Sequence, residues 1–259
     1  MRVLLPVATF ILTISNFFGG LKAQDYWQDS FAAANQFYYA ADYQAAVNAY
    51  QNIINAGFES EELYYNLGNA HYKSGNKPLA VWAYEKTLLL NQDHQDAHYN
   101  LDLLRGQLQD QIRPNADYEL RQFKTRLVNR FSPLNWTWLS VIAVWLACCG
   151  FAIFIFSGQS IIKKLGVLTG ISCTAIFIVL TAMAWMGNNR VCHNKMAILL
   201  NEKATIWSAP GTDGQELQII HEGLKLEMLE TDSSWVKVAL ANGTQGWLQN
   251  PELKALAIR

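Results

Sequence analysis

Asn66-Leu67-Gly68-Asn69-Ala70-His71-Tyr72-Lys73 repeats, more faintly, 34 residues upstream. Tyr72 echoes Tyr38, Ala80 echoes Ala46, Val81 echoes Val47 and Tyr84 echoes Tyr50. Downstream, Asn100-Leu101 repeats Asn66-Leu67 at the same offset. A period of about 34 residues is the length of one helix-turn-helix unit in a solenoid. Such units cannot bury their apolar faces alone, so they stack and leave a concave surface. That surface holds another polypeptide more often than it performs chemistry.

Residues 61–94 form the clearer hairpin. Leu63, Leu67, Ala70 and His71 follow helical spacing, and Gly68 lets the two helices approach closely. Gly75-Asn76 is the turn. Pro78 falls in the first turn of the next helix, where its missing N–H costs nothing. Ala80, Ala83, Tyr84 and Leu88 complete the packing stripe. Residues 25–60 read as an earlier copy: Phe31, Phe37 and Tyr38 on one helix, a turn at Asp42-Tyr43, then Ala46, Val47, Tyr50, Ile53 and Ile54, with Gly57 as the stop. Residues 95–112, with Ala97, Tyr99, Leu101, Leu104 and Leu108, read as a third first-helix that caps the stack.

Across residues 25–112 this pattern resembles the tetratricopeptide (TPR) family, most closely in the second hairpin. The departures are His71 where Tyr is common, Pro78 early in the second helix, and Gln92 where Pro often ends the unit. In TPR domains the first helix of each hairpin lines the groove. The resemblance therefore makes Asn35, Asn66, Asn69, Lys73 and Asn100 the candidate partner-binding residues. Asn carries both a donor and an acceptor and can clamp an extended peptide backbone. Replacing Asn66 and Asn69 by Ala is expected to weaken partner capture and leave the melting temperature nearly unchanged.

Lys+Arg 20 against Asp+Glu 21 gives no case for nucleic acid. The hydrophobic share of 51% is concentrated in three segments. Arg2, the apolar run Val3 to Phe18 and the stretch Gly19-Gly20-Leu21-Lys22-Ala23 read as a signal peptide over residues 1–23, or as an uncleaved anchor helix. No Cys follows at the cleavage region, so a lipid anchor is not indicated. Residues 134–156 and 165–187 are charge-free and longer than the roughly 20 residues that cross a bilayer. Trp136, Trp138 and Trp185 stand at their ends, as in an aromatic belt. Cys148, Cys149 and Cys173 lie inside these spans, where small residues pack helices together, so no disulfide framework can be read. The loop 157–164 carries Lys163 and Lys164 and no acid, which places it in the cytoplasm and both flanking modules outside it. By the same rule Arg121, Lys124, Arg126 and Arg130 argue the other way, but the export signal is read first.

Residues 113–133 hold Leu120, Phe123, Leu127 and Phe131 at helical intervals between those basic residues. This basic juxtamembrane segment reads equally as a helix lying at the lipid surface or as the last helix of the stack. Residues 196–258 switch to short strand-like runs, among them Ala197-Ile198-Leu199, Trp235-Val236-Lys237-Val238 and Gln245-Gly246-Trp247-Leu248. Turn residues separate them, including Asn242-Gly243, where positive φ is expected at both positions. A small antiparallel barrel follows. Glu222-Gly223 before a strand, Trp235-Val236-Lys237-Val238 and Gly243 ahead of Gly246-Trp247-Leu248 make it similar to a bacterial SH3-like domain. Trp207 is the candidate ligand contact there, while Trp235 and Trp247 are expected in the core. Because the spans separate the two modules in sequence, each is expected to fold by itself.

Signals for catalysis are missing. No Cys-x-x-Cys, His-Glu-x-x-His, Gly-x-Ser-x-Gly or phosphate-binding Gly loop occurs. His94 and His98 have helical metal spacing but straddle a turn between repeats, and Cys192-His193 is a bare pair. No cofactor, metal or enzymatic activity is expected.

The fold class is thus multidomain: an α-helical TPR array, two transmembrane helices and a C-terminal all-β SH3-like barrel. In that order, with Tyr99-Asn100-Leu101, the basic segment before the first span and Trp136 and Trp138, the chain resembles the E-type member of the Bacteroides aerotolerance (Bat) family. The resemblance implies an inner-membrane protein, working with other Bat proteins that bear von Willebrand A-type domains and with a MoxR-type ATPase, in oxygen or stress tolerance. Composition and spacing support a membrane-anchored interaction protein. A cell-wall receptor that binds peptidoglycan through its SH3-like domain is the competing expectation, and a membrane enzyme with a hidden site a weaker one.

Overall fold

The computed structural model describes residues 27–257 except 129, 132, 193, 194, 212 and 250, so the signal peptide expected at 1–23 lies outside the described residues. The chain opens with α1 (residues 27–39), α2 (Tyr43–Asn55), α3 (Glu61–Lys73), α4 (Lys77–Leu90) and α5 (Gln95–Arg105). Each of the last four starts on a side chain that takes up an otherwise orphaned N–H. Asp42 accepts from Ala45 N, Ser60 from Leu63 N, Asn76 from Leu79 N and His94 Nδ1 from Ala97 N. Between these starts the helices pair into two hairpins and a final single helix. Ala46 and Tyr50, Leu63 and Leu67, Ala80 and Tyr84, and Leu101 and Leu104 form one buried core. Gly68 is where the second hairpin closes: a Cβ there would sit 2.7 Å from a ring carbon of Tyr84.

The array ends at α5. The next helix, α6 (Ala116–Val128), leaves Leu120, Phe123 and Leu127 about half exposed, at 53%, 51% and 48%. It is therefore not a further layer of the stack. Two long apolar helices follow, α7 (Pro133–Phe156) and α8 (Ser160–Cys192). Both contain segments long and apolar enough to cross a membrane, Leu134–Phe156 and Ser160–Gly187. They form an antiparallel pair. A Cβ on Gly150 would lie 2.7 Å from Gly170 N, and one on Gly166 would lie 2.8 Å from Gly150 O. On α7 the buried positions are Ser140, Ala143, Ala147 and Gly150, one narrow stripe. Cys148 and Cys149 point away from the pair, so glycine rather than cysteine makes the contact. The connection is shorter than the expected loop. Only residues 157–159 are non-helical, and Lys163 N already bonds Gln159 O, so both lysines belong to the start of α8.

The C-terminal part is a seven-stranded antiparallel sheet in the order β3-β2-β6-β5-β4-β1-β7. Its strands are β1 (Met196–Leu199), β2 (Lys203–Trp207), β3 (Glu216–His221), β4 (Lys225–Asp232), β5 (Trp235–Ala239), β6 (Gln245–Gln249) and β7 (Leu253–Ala255). Ile206, Ile220, Leu226, Val238 and Leu248 fill its core. In the turn between β5 and β6, Gly243 N bonds Leu240 O and only Gly243 has positive φ, at +91°. Asn242 does not. The expectation of positive φ at both positions is wrong, because a type I turn closed by a left-handed Gly replaces the mirror-image turn.

The two halves are docked, against the expectation of independent modules. Ile198 and Leu256 are buried within the helical core. Trp82 Nε1 on α4 donates to Ala255 O at 2.8 Å, and Lys86 Nζ donates to Ala257 O at 2.6 Å. Glu85, on the same helix, pairs with Arg105 of α5 and Lys225 of β4, both at 2.6 Å. Burial pushes its carboxyl pKa up, but Lys225 and Arg105 outweigh that and hold it below the usual range. Farther along, Asp110 accepts hydrogen bonds from His221, and Asn115 N donates to Ala241 O.

Gly243→Val tests this coupling. The new side chain meets both a backbone that disfavours it and the Asn115 amide, 2.5 Å from the ideal Cβ position. The expected cost is about 1–3 kcal/mol, and limited proteolysis should then open residues 27–110 together with the sheet. Cleavage confined to the sheet would show that the interface carries little energy.

Acid should loosen the same body. Burial, then the charge of Lys254, lowers the His71 pKa from 6.5 to about 4. Between those values the unfolded chain binds the extra proton, so the stabilisation is complete above the unfolded value and is lost as pH falls toward the folded one. The full span is on the order of 3 kcal/mol. Glu85, with its depressed pKa, acts in the same direction at lower pH. Thermal unfolding followed from pH 7.5 to 4.5 should show a falling melting temperature, and His71→Gln should flatten the upper part of that fall.

Candidate peptide-binding face of the helical array

Tyr50 on α2 and Tyr84 on α4 are both 1% exposed, so each phenol needs an internal acceptor. Tyr50 Oη donates to Asn35 Oδ1 and Tyr84 Oη to Asn69 Oδ1, both at 2.6 Å. The following hairpin adds a second donor to each acceptor. Asn66 Nδ2 reaches Asn35 Oδ1 at 3.1 Å, and Asn100 Nδ2 reaches Asn69 Oδ1 at 3.2 Å. The motif Asn–Tyr–Asn thus occurs twice, once per repeat. Burial raises both phenol pKa values well beyond the ordinary range, which keeps the hydroxyls protonated as donors.

Each pair keeps unused hydrogen-bonding capacity. Among the described residues, Asn35 Nδ2 and Asn66 Oδ1 make no hydrogen bond, and neither do Asn69 Nδ2 and Asn100 Oδ1. One donor and one acceptor per pair match the C=O and N–H of a peptide backbone. The same helices carry several aromatic rings. Tyr38, Tyr65 and Tyr72 are partly buried against the core, while Tyr39 and Tyr99 are 83% and 71% exposed. Tyr65 also lies 4.7 Å from the His94 ring. The surface therefore combines amide hydrogen-bonding groups with aromatic rings.

Of the residues expected from sequence, Asn35, Asn66, Asn69 and Asn100 come together as these pairs. Lys73 lies one helical turn beyond Asn69, exposed and without an ion pair among the described residues. Trp207 belongs to the sheet, where it faces Trp247 across β2 and β6. All three sheet tryptophans are half-buried and outside the core, so Trp235 and Trp247 are not the core residues they were expected to be. Small aliphatic side chains fill that space. His98 Nε2 bonds Gln92 O, so His94 and His98 each serve a helix end. Among the described residues, no group of three or more His, Cys, Asp or Glu is placed to hold a metal ion.

Sequence reasoning missed that Tyr50 and Tyr84 hold the asparagines. The signal was present, since Asn35 and Asn69 share the repeat offset with Tyr50 and Tyr84. No protein-family model matches the chain, and no curated protein matches it.

The bonds also revise the expected stability effect. Asn69→Ala should destabilise by about 1–3 kcal/mol, because it strands the buried Tyr84 hydroxyl. Combining it with Tyr84→Phe should recover part of the loss. A double-mutant cycle by thermal unfolding checks this, and strict additivity would sink the proposed link.

Proposed function

We propose that the chain is a non-enzymatic scaffold of the bacterial inner membrane, whose TPR repeats hold an extended segment of a partner protein. The carrying observation is the pair of amide sites repeated at the hairpin period, each with a free donor and acceptor. Their position supports the reading. The sheet packs on α4 through Trp82, Glu85 and Lys86, and none of the four asparagines bonds to it, so the first helices keep a face for a partner.

The docked halves also bear on topology. A contact between them requires both to lie on one side of the membrane, and two crossings by α7 and α8 return the chain to that side. With the export signal, this supports a periplasmic body and a cytoplasmic α7–α8 turn. The exposed apolar stripe of α6, with Arg121 and Lys124 beside it, fits a helix lying on the lipid surface. The resemblance to the Bat family supplies the context: partners with von Willebrand A-type domains, a MoxR-type ATPase, and aerotolerance or stress response.

A second reading keeps the SH3-like sheet as a peptidoglycan receptor. The facing, half-buried Trp207 and Trp247, with Leu217 49% exposed, favour it.

Capture of partners by the full-length chain from membranes in mild detergent separates the two. Asn66→Ala with Asn100→Ala should weaken capture of a von Willebrand A-type partner about tenfold, while circular dichroism reports the fold. Trp207→Ala should leave that capture unchanged. Loss of binding to insoluble peptidoglycan in the Trp207 variant, with capture unaffected by the asparagine changes, would reverse the assignment.

A further inference from the structure

A groove of ≈ 590 Å³ runs along one face of α8 beside the α7–α8 turn. Its lining changes character along its length. Ser160, Lys163 and Lys164 form one end, and Val167, Leu168 and Ile171 continue down the helix, with Phe154 of α7 as the other wall. These positions follow the i, i+3, i+4 spacing that keeps side chains on one face. From Ser160 to Ile171 the helix rises about 17 Å, close to half of the roughly 30 Å hydrocarbon thickness of a bilayer. The basic end thus sits at headgroup depth and the apolar end reaches toward the middle of the membrane. Leu168 and Ile171 are 63% and 59% exposed. Neither lysine forms an ion pair among the described residues, and residues 157–164 contain no acid.

We infer that this groove binds one anionic phospholipid, its phosphate held by Lys163 and Lys164 and one acyl chain lying on Val167, Leu168 and Ile171. Charge selects the occupant: two unneutralised ammonium groups at a membrane edge attract an anionic headgroup over a zwitterionic one. The apolar length selects a lipid over a free anion, because a soluble phosphate would leave that half of the groove unused. Gly158 lines the basic end, where the space around it is open. The inference rests on the reading that α7 and α8 span a membrane.

The test uses the full-length chain in detergent micelles and native mass spectrometry. The probes are phosphatidylglycerol, phosphatidylcholine with the same acyl chains, and glycerol 3-phosphate. Wild type should bind phosphatidylglycerol at least about tenfold more tightly than phosphatidylcholine. Lys163→Gln with Lys164→Gln should abolish that preference, and Lys163→Arg with Lys164→Arg should keep it. Val167→Trp fills the groove with both charges intact and should also weaken binding. Equal affinity for the two lipids, indifference to the glutamine changes, or indifference to Val167→Trp overturns the inference. So does glycerol 3-phosphate binding as tightly as phosphatidylglycerol. Carbonate extraction of membranes keeps the two claims apart. Wild type and the glutamine variant should both stay in the membrane, and release of wild type would defeat the spanning reading itself.

Discussion

Glu85 sits where α4, α5 and β4 meet, with a side chain only 7% exposed. A carboxylate so placed loses most of its hydration and persists as an ion only if other charges replace the water. Arg105 and Lys225 do so from two elements far apart in sequence. Glu85 thereby ties the last helix of the array and the sheet to the same turn of α4. Removing either partner would leave one oxygen of the buried carboxylate without its charged donor, while the other partner still balances the charge. Trp82 and Lys86, three residues before and one after Glu85, bind the carbonyls of Ala255 and Ala257. One turn of α4 therefore joins the helical array to the sheet.

That constraint decides which surfaces remain for function. The sheet packs on α4, the second helix of the second hairpin, so the first helices keep a face clear of it. On the proposed function, the asparagines there serve two ends. Asn35 and Asn69 each accept from a buried tyrosine, which fixes their rotamers and places their unused amide donors. A binding group held in this way loses less entropy when a ligand arrives. On the proposed function, fold and recognition are not separable at these positions, and a single substitution at Asn69 is expected to alter both.

The repeated hairpins were legible because the 34-residue offset couples residues that touch within and between units, such as Gly68 with Tyr84. The apolar helices were legible because their composition has no counterpart in a water-facing helix. What escaped was contact between distant segments. Leu253-Lys254-Ala255 is too short and too polar to announce a strand, and becomes one on the open edge of β1, with Trp82 holding its last carbonyl. Nothing close to Glu85 in sequence marks it as buried, because its two partners lie 20 and 140 residues away. The sheet tryptophans misled for the opposite reason. Large rings suggest a core, but Ile206, Ile220, Leu226 and Val238 already fill it.

The segment between body and membrane completes the geometry. Asn115 caps α6 through Tyr118 N and ties that end to the sheet through Ala241. Arg121, one turn further on, reaches Glu227 of β4 at 3.4 Å. At the other end Trp136 Nε1 donates to Val128 O at 2.7 Å, and its ring meets Phe131 edge to face. A helix fixed at both ends has little freedom to swing. With α7 and α8 in a bilayer, α6 would transmit the plane of the membrane to the sheet, and the sheet would pass it through Glu85 to the array. The peptide-binding face would then be held at a set height and tilt above the lipid. Such a posture favours a partner that is itself anchored nearby, because confinement to one surface raises its effective concentration without any further contact.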